Sequence, residues 1–315
     1  MRLPTWREIE NGIGRTLLLL MSQVVRWLPN SSLSFLGALA GCFVAVASPR
    51  HRRIVFSQIR QALGQERSEA ELRGIEQRFY RNICINLLEF LKMPYMSDQE
   101  VLRRVQVRGR ENLDAALAKG RGAILLTAHY GNWELVGATL VLLGYPVNVL
   151  AREQRHLGTN ELLTGLRQRR GMKVIYTSRG LREVVRCLHR NEIVCILGDV
   201  NAGANGLFVD FFGKLASTAP GPAAFALRTG AAIVPGFTWR NPDHTHISEF
   251  MPVMEMIHSG DYERDVLENT ARLTKIIEEQ VRRRPEQWYW LARRWKARPP
   301  WERLHQNKTA SRGAM

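Results

Sequence analysis

Residues 122–135 read Gly122-Ala-Ile-Leu-Leu-Thr-Ala-His129-Tyr-Gly131-Asn132-Trp-Glu134-Leu. The apolar run at the start has the length and bulk of a strand buried on both faces. Gly131 and Asn132 are turn formers, and an Asn can also cap the helix that follows. Glu134 then falls in the first turn of that helix, where the dipole favours an ionised carboxylate. The stretch therefore predicts strand, tight turn and helix, with His129 at the strand's carboxyl end. In open α/β sheets, ligands gather just outside that end.

Outward from this unit the same alternation continues. Short apolar runs predict strands at 104–108, 122–128, 146–151, 172–176, 193–198, 231–239 and 245–250. Helical patterns fill most of the gaps, at 111–119, 133–143, 160–170, 179–190 and 219–229, and a last helix spans 262–284. Strand and helix in alternation argue for an α/β fold: a mixed, largely parallel sheet flanked by helices. Residues 54–95 read as helical, with Ile75, Phe79, Ile83, Leu87, Phe90 and Leu91 near 3.6 spacing, and Pro94 ends that pattern. No internal repeat or low-complexity stretch interrupts the chain.

The N-terminal region is less water-like. Residues 16–25 and 33–48 are two apolar runs, the second without charge, and Arg50, His51, Arg52 and Arg53 follow it directly. Sixteen residues fall short of the roughly 20 needed to span a bilayer. Flanking Trp6, Trp27 and arginines suit a helix lying at or in one leaflet, and a buried helical hairpin is the competing reading. A cleaved signal peptide fits poorly, because the stronger apolar run starts late. The expected division is a membrane-associated helical segment at 1–53, an α/β domain at 54–300 and a loose polar tail at 301–315. Lys plus Arg number 45 against 29 Asp plus Glu, a formal net charge of +16. That excess selects anionic partners, either nucleic acid or anionic lipid. The cysteines (Cys42, Cys84, Cys187, Cys195) form no C-x-x-C pair, which argues against a disulfide framework or a zinc site. His244 and His246 are the one close histidine pair, and a solvated strand edge explains them better than a metal.

A histidine takes a proton near neutral pH, and a carboxylate on its other ring nitrogen fixes the tautomer and stabilises the imidazolium. His129 and Glu134 are the candidate pair. No G-x-S-x-G serine is present as a nucleophile. If the acceptor's own hydroxyl takes that place, the reaction is acyl transfer.

His129-Tyr-Gly-Asn-Trp-Glu134 resembles the first block of the bacterial lipid A biosynthesis late acyltransferases, part of the wider glycerolipid acyltransferase group with its His-x4-Asp/Glu motif. The phosphatidylinositol mannoside acyltransferases share the pattern. Further blocks follow in order: Arg152, then Arg167-Gln-Arg169-Arg170-Gly171, then Gly198-Asp199 with Asn205-Gly206 through Phe211-Phe212-Gly213 and Thr218. Pro285-Glu286-Gln287-Trp288-Tyr-Trp290 with Arg293-Arg294-Trp-Lys296-Ala-Arg298-Pro299 resembles the C-terminal block. Leu291 and Ala292 depart from it, standing where relatives often carry a histidine. The resemblance implies an enzyme at the cytoplasmic face of the inner membrane. It implies an acyl carrier protein or coenzyme A thioester as donor, an anionic or phosphorylated glycolipid as acceptor, and no cofactor.

Residues 152–190 hold ten basic side chains against three acidic ones. Arginine forks phosphate in a bidentate way, so Arg152, at a strand's carboxyl end, is the first candidate for a phosphate contact and Arg167 the second. Asp199 also ends a strand, either as a second carboxylate near His129 or as an acceptor for substrate hydroxyls. Asn132, in the turn, joins the substrate-binding set. Phe208, Phe211 and Phe212 are either plain core or the lining of an acyl channel. The alternatives are a glycerophospholipid or phosphatidylinositol mannoside type of acyltransferase and, from another class, a non-catalytic basic membrane-binding protein. No recognisable module supports nucleic-acid binding, although tryptophans stand among the C-terminal arginines.

Overall fold

The computed structural model describes residues 6–153, 157–178 and 180–302; side chains are described from Thr16 onward, except that of Leu157. The chain opens with α1 (Trp6–Trp27), α2 (Asn30–Ala47), α3 (Pro49–Leu63) and α4 (Glu69–Lys92), then α5 (Asp98–Arg104) and β1 (Val105–Arg108). The alternating part runs α6 (Arg110–Leu117), β2 (Ala123–Thr127), α7 (Trp133–Leu142), β3 (Val147–Ala151), α8 (Leu157–Gln168), β4 (Lys173–Tyr176), α9 (Leu181–His189) and β5 (Ile193–Leu197). A hairpin of β6 (Leu207–Phe211) and β7 (Lys214–Thr218) precedes α10 (Gly221–Thr229), β8 (Ala232–Arg240), β9 (His246–Phe250) and α11 (Tyr262–Arg283).

The sheet has seven strands in the order β1-β9-β8-β2-β5-β3-β4. Only the β8–β9 pair is antiparallel, so β1 and β9 run against the other five. The predicted mixed, largely parallel sheet flanked by helices is the one observed. Its central strands β2, β5 and β8 are buried almost throughout because both faces are covered. Ile124, Leu126, Val194 and Ile196 face one core cluster, and Ala123, Leu125, Ile193 and Cys195 face the other.

The hairpin escaped the sequence pattern. Its turn is Phe212-Gly213 with φ of 56° and 71°. Two residues with positive φ make a tight hairpin turn normally written with Asn or Asp before Gly. Here a buried Phe occupies the first place, and Glu278 accepts its backbone N–H at 2.7 Å. Phe211 and Phe212 belong to the core, while Phe208 meets Trp301 edge to face. The stretch predicted as helical at 54–95 is α3 and α4 with a break between. Ser68 caps α4 in a reciprocal capping box with Glu71. α3 begins at Pro49 and so crosses the boundary expected at residue 53. Of the tail expected at 301–315, residues 303–315 lie outside the described residues.

α2 lies along α4, and glycine makes the approach possible. A Cβ at Gly37 would come within 2.7 Å of the Ile85 backbone, and one at Gly41 within 2.4 Å of the Tyr80 carbonyl oxygen. Small residues four apart allow such backbone contact between helices. The opposite face shows Phe35, Leu39, Phe43 and Val46, each at least 60% exposed. α2 is long and apolar enough to cross a membrane by length and composition, with 22% of it buried. A buried core helix would bury this face, and the structure leaves it open.

Candidate active site

The register of the sheet sets the site. In the β2–β5 pair, Thr127 lies opposite Leu197. His129 and Asp199 each stand two residues further on, past neighbouring strand ends on one edge of the sheet. The Asp199 carboxylate meets His129 twice: Oδ1 lies 2.9 Å from Nδ1, and Oδ2 accepts the His129 backbone N–H at 2.8 Å. Trp288 donates its indole N–H to Oδ2 at 2.8 Å. Burial alone would raise the Asp199 carboxyl. The facing His129 ring, the indole and the backbone N–H together hold it below the usual carboxylate range. An ionised Asp199 makes Nδ1 the protonated nitrogen and leaves the Nε2 lone pair free. The His129 side chain is 26% exposed, whereas that of Asp199 is sealed off. Trp133 and Tyr289 flank the imidazole, with ring centroids 5.2 and 5.9 Å away.

Three further sets of contacts fix the turn that carries His129. Gly131 has φ +54°, and a Cβ there would fall 1.7 Å from the Thr238 carbonyl oxygen, so only glycine fits. Its N–H donates to the Gln287 carbonyl, the Tyr289 N–H donates to the His129 carbonyl, and Tyr130 bridges Trp288. The Gln287 side chain in turn both donates to and accepts from the Arg240 backbone at 2.9 Å. The C-terminal block is thus laid against the His129 turn like an extra strand. Behind both lies Glu89, buried and holding Asn132 Nδ2 at 2.7 Å, Arg240 Nη2 at 2.5 Å and His246 Nε2 at 3.4 Å. Burial would raise the Glu89 carboxyl, but the Arg240 guanidinium drives it well below its ordinary value. Asn86 donates to the Gly131 carbonyl and accepts from Arg240.

Several expectations change. Glu134 is not the carboxylate on His129. It receives Arg167 by two hydrogen bonds of 2.9 and 2.5 Å, with the Trp133 indole at 3.2 Å. Burial works against the Arg167 charge, yet the facing Glu134 raises its pKa above the ordinary value. A strand neighbour reaches Nδ1 where a residue five further along a turn and helix does not. Arg167 is consequently committed to Glu134, which removes it as a ready phosphate contact. Asn132 is buried: its Oδ1 caps α7 by accepting the Leu135 N–H at 3.2 Å, while its Nδ2 holds Glu89. Both contacts shape the turn. His246 is no solvated strand edge but is 1% exposed beside Glu89. Arg152 is exposed just past β3, on the same sheet edge as His129, and its side chain has no partner among the described residues. β5 stands between β3 and β2, so the two strand axes are roughly 10 Å apart at the usual spacing.

The chemistry missed in sequence is the supporting shell: Trp288, Gln287, Glu89 and Arg240. Trp288 and Gln287 lie in the C-terminal block already quoted, but nothing in that block names their partners. Glu89 and Arg240 gave no signal, being single charges inside apolar patterns.

The family profile described as bacterial lipid A biosynthesis acyltransferase matches residues 10–297. A phosphatidylinositol mannoside acyltransferase of Mycobacterium tuberculosis (strain CDC 1551 / Oshkosh) is 29% identical over 215 residues, 66% of this chain and 66% of that protein. The lipid A biosynthesis palmitoleoyltransferase of Escherichia coli (strain K12) is 28% identical over 278 residues, 86% of this chain and 87% of that protein. The lipid A biosynthesis lauroyltransferase of the same organism is 28% identical over 236 residues, 74% and 76% of the two chains. The match thus covers just under two thirds of the mycobacterial relative and most of the palmitoleoyltransferase.

Proposed function

The chain belongs to the bacterial lipid A biosynthesis acyltransferase family, and from that premise we propose that it moves a fatty-acyl chain from a thioester donor to a hydroxyl of a phosphorylated glycolipid. One observation carries the reading: an imidazole fixed through Nδ1 by a buried carboxylate, with its other nitrogen free at the carboxyl edge of the sheet. His129 Nε2 takes the proton as the acceptor oxygen attacks the thioester carbonyl. The tetrahedral intermediate collapses, the C–S bond breaks, and the departing sulfur takes the proton from the imidazolium. Asp199 stays ionised throughout and stabilises the imidazolium in between. No enzyme nucleophile is needed, because the acceptor supplies it.

Arg152 is the proposed phosphate contact for the acceptor. It is exposed, lies on the same edge as His129, and keeps its guanidinium fork free of any described partner. The donor is an acyl carrier protein or coenzyme A thioester, and the site of action is the cytoplasmic face of the inner membrane, with α2's open face in the leaflet. Relatives named for lipid A and for phosphatidylinositol mannoside match at similar identity, so the assay presents both acceptor classes. Purified protein, an acyl thioester and each glycolipid are incubated, and products are read by mass spectrometry. Addition of one acyl chain to either glycolipid supports the reading. Hydrolysis of the thioester with no acylated lipid of either class would contradict it.

A further inference from the structure

Directly after α2, the chain forms a cleft of about 630 Å³ lined by Arg52, Arg53, Arg60, Arg73, Lys214 and the Phe56 ring. That volume falls in the range of small-ligand sites. None of its residues belongs to the His129 site. Two carboxylates hold part of the cluster in place. Buried Glu76 pairs with Arg52 at 3.4 Å and Arg73 at 3.2 Å, and Glu69 pairs with Arg60 at 2.7 Å. The Arg73 guanidinium also lies 3.4 Å from the Phe56 ring centroid. Five cations against two carboxylates leave an excess of positive charge. Arg53 and Lys214 are exposed and have no ion-pair partner among the described residues.

The position of the cleft selects the anion. The open apolar face of α2 ends at Val46, and Arg52 and Arg53 follow within the first two turns of α3. With that face in the acyl region of a leaflet, residues a few positions beyond it come to the level of the headgroups. Glu76 and Glu69 fix Arg52, Arg60 and Arg73 around the cleft, and the unpaired Arg53 and Lys214 are left to meet phosphate oxygens. We infer that this cleft takes the phosphate headgroup of an anionic bilayer phospholipid, bound as a membrane anchor separate from the acyl acceptor. An acidic protein would match the charge but would leave the adjoining apolar face unexplained. The inference rests on the membrane reading of α2, and the test separates the two.

The experiment is co-sedimentation of the full chain with phosphatidylcholine vesicles, with and without phosphatidylglycerol. Arg53→Glu/Lys214→Glu reverses the two unpaired cations of the cleft. Lys119→Glu/Arg228→Glu makes the same change in net charge at exposed positions that do not line it. Leu39→Ser/Phe43→Ser alters the α2 face alone. Removal of two interfacial cations weakens binding to anionic membranes by about thirtyfold. The cleft variant is expected to lose at least that factor on phosphatidylglycerol vesicles while keeping its weak binding to phosphatidylcholine. The matched reversal is expected to lose several-fold less, and the α2 variant to lose binding to both. Equal losses in the two charge reversals would overturn the cleft and leave the membrane reading standing. Undiminished binding by the α2 variant would overturn the membrane reading itself. Unchanged vesicle binding by the cleft variant, with slower transfer from an acyl carrier protein thioester, would overturn the lipid in favour of an acidic protein.

Discussion

At the residue scale, two carboxylates stand near His129 and have different work. Asp199 meets the Nδ1 of His129, whereas Glu134 receives Arg167. His129→Ala is expected to lower turnover by two to four orders of magnitude with little change in melting temperature, since it removes a proton acceptor at a partly open position. Retention of wild-type rates would refute the role. Glu134→Ala has a different signature. It leaves the guanidinium of a buried pair without its partner, which costs on the order of 3 kcal/mol of stability. Glu134→Ala/Arg167→Met should recover much of that loss, as urea unfolding of the four proteins of the cycle would reveal. Loss of activity at unchanged stability in Glu134→Ala would instead return Glu134 to the chemistry. His129 was legible because it ends an apolar run. Its partner Asp199 was legible only as one of two options for that residue, because sequence spacing favoured the near carboxylate while sheet register delivered the far one.

At the scale of the element, the His129 turn is held by contacts from α4, β8 and the C-terminal block. Glu89 is the centre of that support, accepting from Asn132 and Arg240. Glu89→Gln keeps the shape but removes the charge that faces a buried Arg240, so a destabilisation of about 3 kcal/mol is expected. Transfer by the surviving folded fraction should also slow, because Asn132 caps α7 next to the turn. A Glu89→Gln protein with wild-type melting temperature would contradict this. His246 adds a pH dependence. Burial holds its pKa below the ordinary 6.5, so the fold favours the neutral ring. The unfolded chain takes up a proton as pH falls below about 6.5 while the folded chain does not. Stability contributed by neutral His246 is therefore complete above that value and is lost as pH falls toward the depressed folded pKa. His246→Gln should flatten the slope of unfolding free energy between pH 6.5 and 5. An unchanged slope would show that the buried ring is not the group responsible.

At the scale of the whole molecule, the central strands β2, β5 and β8 were readable because both faces are covered and their runs are largely apolar. β6 and β7 were not, since their turn hides behind a phenylalanine. Sequence order also concealed that β5 inserts between β2 and β3, so Arg152 is two strands from His129 although it directly follows the next strand along the chain. Arg152→Ala should raise the acceptor KM well above any change in donor KM, and only for an acceptor that keeps its phosphate. An equal effect on a dephosphorylated acceptor would remove Arg152 from that role. Activity is the property in which sheet edge and supporting shell meet. The most direct measurement is the rate of glycolipid acylation by Asp199→Asn beside the wild type. Melting temperatures are recorded for both. The expected result is a rate lower by about three to four orders of magnitude in a protein that remains folded, because an amide no longer selects the tautomer with a free Nε2. A folded Asp199→Asn enzyme that acylates glycolipid at the wild-type rate would contradict the His129–Asp199 mechanism.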